Sequence, residues 1–204
     1  EAIDKYLAKA DDELSDVLAD EGYADAEDSV EVINAMQEEI AETLQNQTDD
    51  LVEALAAEQD SGWAAAQKKV SEMLDGDDIA EQVQEAAADM FQTEVPKLAT
   101  VYMQETDGDL VVDVIRQRTK SWIASWSQRL GQLMKINTHQ QITDIIQRTI
   151  DQGESIETLT RKIMDGGWRN EHYQARRVAV TEVLRAHSVA REEAIQQSPS
   201  TDRK

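Results

Sequence analysis

The chain has no cysteine, one phenylalanine, two prolines and no long apolar run. Without cysteine there is no disulfide, no thiolate metal site and no cysteine nucleophile, which suits a reducing compartment. The longest apolar runs, "LVVDVI" and "VAV", fall far short of the roughly 20 residues that span a bilayer, so no membrane segment is expected. Aromatic residues are only 4% of the chain, so any core is assembled from stripes of Ala, Leu, Val and Ile. With Pro96 and Pro199 as the two prolines and no alternating strand pattern, this composition predicts an elongated all-α protein of long amphipathic helices, with no sheet.

Positive charge is scarce in one half only. The net charge is −22 over 204 residues, but residues 1–100 carry 28 Asp/Glu against 5 Lys/Arg, and residues 101–204 carry 14 against 15. An acidic half repels phosphate backbones and disfavours DNA binding through it. Solvated helix surface accounts for most of these acids. The chain opens at Glu1 and runs out in "SPSTDRK", which points to a piece of a longer polypeptide.

Four segments are expected. Residues 1–62 read as an acidic helical hairpin, with Ile3, Leu7, Leu14 and Leu18 on a stripe closed near Gly22 and Val30, Ile33, Leu44, Leu51 and Leu55 on a longer second helix. Residues 63–108 read as a connector of short helices divided at "DGDD", with Pro96 near the start of a further helix. That acidic turn resembles a calcium loop only superficially, because "DGDDIAEQVQEA" lacks the EF-hand register. Residues 109–197 read as a helical block: a helix capped by Asp109 and carrying Trp122 and Trp126, a helix from Thr138 to Gly153 with Gln141 as box partner, a short helix capped by Ser155 and ended by Gly166-Gly167, and a last helix from about Trp168 or Asn170 to Gln197. Residues 198–204 read as a tail or linker. Trp122 and Trp126, one turn apart on an amphipathic stripe, are expected as buried core anchors rather than a base-stacking platform.

The last helix contains "ARRVAVTEVLRAHSVAREEA", which supports three readings. For catalysis, neither His139, His172 nor His187 belongs to a metal-ligand pair at helical spacing, and Ser188 beside His187 does not point at it. No catalytic residue, metal site or cofactor is therefore assigned. For nucleic acid, Arg177, Thr181, Arg185 and Ser188 fall near one side, a phosphate-facing strip that Glu182, Glu192 and Glu193 partly answer. For packing, Ala175, Ala179, Val183, Ala186, Ala190 and Ala194 recur every three or four residues and form a small-residue face suited to helix packing or partner docking. Thr181 and Glu182 lie at its border. A buried Glu182 needs an arginine, and Arg185 is its helical candidate, so Thr181, Glu182, Arg185 and Arg191 are read as a polar latch.

The stretch "WIASWSQRLGQLMKINTHQQITDIIQRTIDQGESIETLTRKIMD", followed by the Thr181-Glu182 helix, resembles the Mu F-like phage head morphogenesis, or minor head protein, family. The resemblance covers roughly residues 110–197. Val180 stands where many relatives have Arg, so an Arg–Glu contact from that position does not carry over. The resemblance implies a non-enzymatic virion protein that associates with the portal protein and other head proteins during capsid assembly. It implies a location inside the head near the portal vertex, in few copies, after synthesis in the bacterial host cytoplasm. The competing readings are a DNA-contacting packaging or ejection factor using Arg177 and Arg185, and a hydrolase using Glu182 and His187.

Overall fold

The computed structural model describes residues 3–7, 9–76, 78–105, 108, 110–112, 114–165 and 171–199. Among them the order is α1 (Asp4–Leu7), α2 (Asp11–Asp20), α3 (Ala26–Ala57), α4 (Trp63–Leu74), α5 (Asp78–Gln104), α6 (Gln117–Asp151), α7 (Ile156–Met164) and α8 (Glu171–Gln197), and no strand occurs among the described residues. The fold class is all-α. No helix among the described residues is long and apolar enough to cross a membrane.

Local signals set the helix ends where they are strongest. Gly22 ends α2 with φ +77, its N–H bonded to the Ala19 carbonyl and the Tyr23 N–H to the Leu18 carbonyl. Gly153, with φ +69, does the same for α6 through Ile150 and Thr149. Both are Schellman ends that need a left-handed residue. The Ser155 hydroxyl accepts from the Thr158 N–H at 3.1 Å and starts α7, whose Ile156, Leu159 and Ile163 are buried as expected. Asp109 and the stretch from Gly166 to Asn170 lie outside the described residues.

Two expected boundaries are absent. Pro96 sits inside α5 rather than near a helix start. A helix-interior proline costs about 3 kcal/mol, and burial of Val95, Leu98 and Ala99 around it offsets that. Thr138 does not begin a helix either; it is 2% exposed in the middle of α6. The Thr-x-x-Gln pattern there is compatible with an uninterrupted helix, and no Gly or Pro lies between Gly131 and Gly153 to force a break.

The chain divides into two compact units, and neither matches the contiguous segments expected from hydropathy. Unit 1 comprises residues 1–39, 85–127 and 172–204, and unit 2 comprises residues 40–84 and 128–171. Helices α3, α5 and α6 each contribute to both units. The acidic residues 1–39 are therefore not a free-standing hairpin. Within unit 1, Arg176 of α8 donates to Gln37 at 3.1 Å, to Asn34 at 3.3 Å and to the Lys9 carbonyl at 3.3 Å. A hairpin's narrow stripe has too little apolar surface to stand alone, and its Leu14, Leu18 and Ile33 are fully buried in this unit.

Unit 2 has a wholly apolar centre, with Leu51, Leu55, Ile142 and Leu159 at 0% exposure. Gly131 of α6 permits a close approach to α5: a Cβ there would lie 2.1 Å from the Ala80 carbonyl oxygen. Ala favours helix by about 1 kcal/mol over Gly, so Gly131→Ala on an isolated α6 would stabilise. Here the overlap is with backbone and cannot be relieved by a rotamer change. Gly131→Ala is expected to lower stability by about 1–3 kcal/mol in urea unfolding; an increased midpoint would contradict the close crossing.

Candidate functional site

The chemistry-bearing residues of unit 1 gather along α8. Its six-residue small face is wholly buried, from 0% exposure at Ala175, Ala179, Ala186 and Ala190 to 4% at Ala194. The burial is intramolecular, so of the two roles expected for Ala175, Ala179, Val183, Ala186, Ala190 and Ala194, helix packing is the one realised. These side chains are not available to a docking partner in the folded unit.

Two carboxylates lie on the same side as the alanines. Glu182 and Glu193 are eleven residues apart, about three helical turns, and both are buried at 2% and 0% exposure. Each is held by α6 or its leading residue. Glu182 Oε2 accepts from Trp126 Nε1 at 2.7 Å and from Arg185 Nε at 3.0 Å. The Arg185 guanidinium also lies 4.1 Å from the Trp126 ring centroid, a cation–π contact that adds to the charge pair. Burial raises the Glu182 pKa, opposed by the Trp126 hydrogen bond and by Arg185.

Glu193 is held still more completely. It accepts from the Arg116 backbone N–H at 2.8 Å, from Arg116 Nε and Nη2 at 3.2 and 3.1 Å, from Gln197 Nε2 at 2.7 Å and from the Thr119 hydroxyl. Burial alone would raise its pKa, but these donors outweigh it and hold the carboxyl down to about 2. Because Arg116 and Thr119 flank the first turn of α6, Glu193 also places negative charge at that helix's N-terminus, where the backbone dipole favours it. The order of contacts, Glu193 to Thr119 and Glu182 to Trp126, makes α6 and α8 antiparallel within the unit.

The expected four-residue latch therefore separates. Glu182 and Arg185 form it with Trp126. Thr181 instead donates to the Arg177 carbonyl at 2.6 Å on its own helix. Arg191 donates to the Gly22 carbonyl and lies 4.7 and 5.5 Å from the Tyr102 and Tyr23 ring centroids. Trp122 and Trp126 are half-buried rather than buried anchors. Their rings are parallel within 2° at a centroid distance of 6.2 Å, and Phe91 meets Trp122 edge-on at 5.3 Å. The half-buried Trp126 directs its N–H inward to the buried Glu182 carboxylate.

Sequence reasoning missed the role of His187, which is 0% exposed. Its Nε2 is 2.9 Å from the Ser29 hydroxyl and its Nδ1 is 2.7 Å from the Tyr102 hydroxyl. Ser29 donates to the Asp25 carbonyl at 2.9 Å, so Ser29 accepts from an Nε2–H and Nδ1 accepts from Tyr102. Tyr102 in turn accepts from the Ala24 N–H at 3.2 Å. Every donor and acceptor is used with a neutral imidazole, and burial, aided by the Arg191 charge, lowers the His187 pKa to about 4. The polarity is the reverse of a serine nucleophile's, whose proton must be aimed at the imidazole. Glu182 and His187 share no hydrogen-bond partner. The cluster bolts the start of α3 and the end of α5 to α8. Among the described residues, no group of three metal-ligating side chains occurs.

Replacing Glu182 by Ala should strand the Trp126 N–H and Arg185. A loss of about 2–4 kcal/mol is expected in chemical unfolding, with a change in Trp fluorescence; unchanged stability would exclude the latch. For His187, the folded pKa of about 4 lies below the usual 6.5, so the unfolded chain takes up the proton first. The contribution is complete above pH 6.5 and is lost as pH falls toward 4, by about 2 kcal/mol at pH 5. Glu182, with its raised pKa, acts in the opposite sense. The difference between the wild-type chain and His187→Gln therefore isolates the histidine, and parallel stability profiles from pH 7 to 5 would refute its neutral burial.

No family model matches the chain, and no solved structure matches it. The chain is similar to Uncharacterized protein YqbB of Bacillus subtilis (strain 168), at 34% identity over 128 residues. That region is 63% of this chain and 42% of YqbB, so the chain spans less than half the length of this relative.

Proposed function

We propose that the chain is a phage minor head protein, a structural and interaction component that docks at the portal vertex during capsid assembly and stays inside the virion. The observation that carries the reading is the pairing of α6 with α8. These helices hold the two parts of the stretch that resembles the minor head family, the Trp-bearing segment and the Thr-Glu segment, and Trp126 bonds Glu182 directly. In this reading the Thr-Glu pair serves architecture. Its carboxylate holds one helix of the block against another, and Arg185 and Arg191 are engaged within the chain rather than presented to phosphate. Arg177 is exposed and makes no ion pair among the described residues. The acidic surface keeps such a protein from adhering to packaged DNA.

The test is direct. A tagged full chain, expressed with the portal protein of its own genome, is expected to co-purify with it, and the chain is expected in purified particles by mass spectrometry at a few copies. Absence from particles, together with no retention of portal protein, overturns the reading. Ala186→Glu is unsuitable as a docking probe because Ala186 is fully buried.

A further inference from the structure

The polar cluster at His187 joins three stretches of unit 1 that lie far apart in the sequence: the turn into α3, the end of α5 and the middle of α8. We infer that this cluster is a proton-operated clasp: charging the imidazole parts the start of α3 and the end of α5 from α8, while unit 2 stays folded. The inference does not rest on the minor-head reading.

The hydrogen bonds of the cluster run in one direction. Nε2–H donates to Ser29, which donates to the Asp25 carbonyl, while Nδ1 accepts from Tyr102. An added proton must go to Nδ1, where it would face the Tyr102 hydroxyl proton across 2.7 Å. Turning that hydroxyl away gives no relief, because the Tyr102 oxygen already meets two donors, the Ala24 N–H and the Arg191 guanidinium. Tyr102 is 6% exposed, so a proton turned out of its bond is costly.

No carboxylate bonds the imidazole to balance a charge. The turn before α3 presents the Tyr23 ring edge-on at 5.1 Å, and α3 presents the Ser29 hydroxyl, with Asp25 entering through its carbonyl. From α5 comes Tyr102, on which the exposed Glu105 acts, and from α8 comes Arg191, whose guanidinium lies over the Tyr102 and Tyr23 rings. The formal charge acting on His187 is therefore the positive one of Arg191. An imidazolium there would be buried beside a like charge.

The cluster also restrains the place where opening starts. Asp25 holds φ +47, a left-handed conformation, between the Ala24 N–H bonded to Tyr102 and its own carbonyl bonded to Ser29. Such a backbone persists while its surroundings hold it. The apolar centre of unit 2 contains no group that titrates.

The chain has no cysteine, so single introduced thiols report on each unit separately. Val30 near the start of α3 and Val70 of α4 are 5% and 2% exposed. Val30→Cys and Val70→Cys are labelled with 4,4′-dithiodipyridine, and each rate is divided by that of free cysteine at the same pH. The closed imidazole has a pKa of about 4 against 6.5 when free, so labelling of Val30→Cys is expected to accelerate roughly twentyfold from pH 7 to 5. Val70→Cys should change by no more than about twofold, and His187→Gln added to Val30→Cys should flatten its profile. Equal acceleration of both thiols means global acid unfolding and overturns the clasp. Flat labelling of Val30→Cys, or acceleration that survives His187→Gln, overturns it as well. Where His187→Gln loses its helical signal at pH 7, the two thiols still discriminate, together with an NMR titration of the His187 ring in the unsubstituted chain. An ordinary midpoint near 6.5 in a unit that stays closed would refute the proposal.

Discussion

The arrangement of unit 1 depends on two carboxylates buried three turns apart on one helix. Glu182 and Glu193 share a side of α8 with the alanines, and each is matched by donors from α6 or the residue leading into it. A small-residue face specifies that two helices can approach closely, but it is nearly featureless and does not specify where along the axis they meet. A buried carboxylate does. Sliding or rotating α8 by one residue would take Glu182 from the Trp126 N–H and Glu193 from Arg116 and Thr119, leaving the two buried carboxylates with only the donors of α8 itself. The alanines therefore permit the contact, and the two acids set its register and direction.

The two units solve the same problem with different materials. Unit 2 relies on an apolar centre and on the missing side chain of Gly131. Unit 1 interleaves its apolar residues with hydrogen-bonded seams: the Glu182 latch, the Glu193 clamp and the His187 relay. The polar seams engage Arg185, Arg116 and His187, and Ser188 donates to the Leu184 carbonyl on its own helix. Glu182, Glu193 and His187 each join α8 to another helix of the unit or to the residue leading into one.

Some of this was legible in the order of residues. The Schellman glycines at 22 and 153 and the Ser155 cap act within a turn of themselves, so neighbouring residues suffice to specify them. The burial of Ala175 through Ala194 followed from spacing alone. Glu193 could have been found the same way: it lies eighteen residues, five turns, from Ala175, at the centre of the alanine face. Its position among exposed-looking acids in "REEA" concealed it. His187 had no comparable signal, because Ser29 and Tyr102 reach it from distant parts of the chain.

The sequence by itself determined that the protein is all-α, where helices α2 and α6 end, and which side of α8 is buried, because those properties arise from backbone preference and periodicity. Tertiary structure alone decided that α5 runs through Pro96 and α6 through Thr138, since burial along a helix outweighs a local breaker or a chance capping pattern. It also decided that the units are built from alternating stretches, that the Trp pair stays half-buried, and which arginine serves which carboxylate. Those outcomes depend on groups far apart in the chain competing for the same donors, and neither helical periodicity nor composition records that competition.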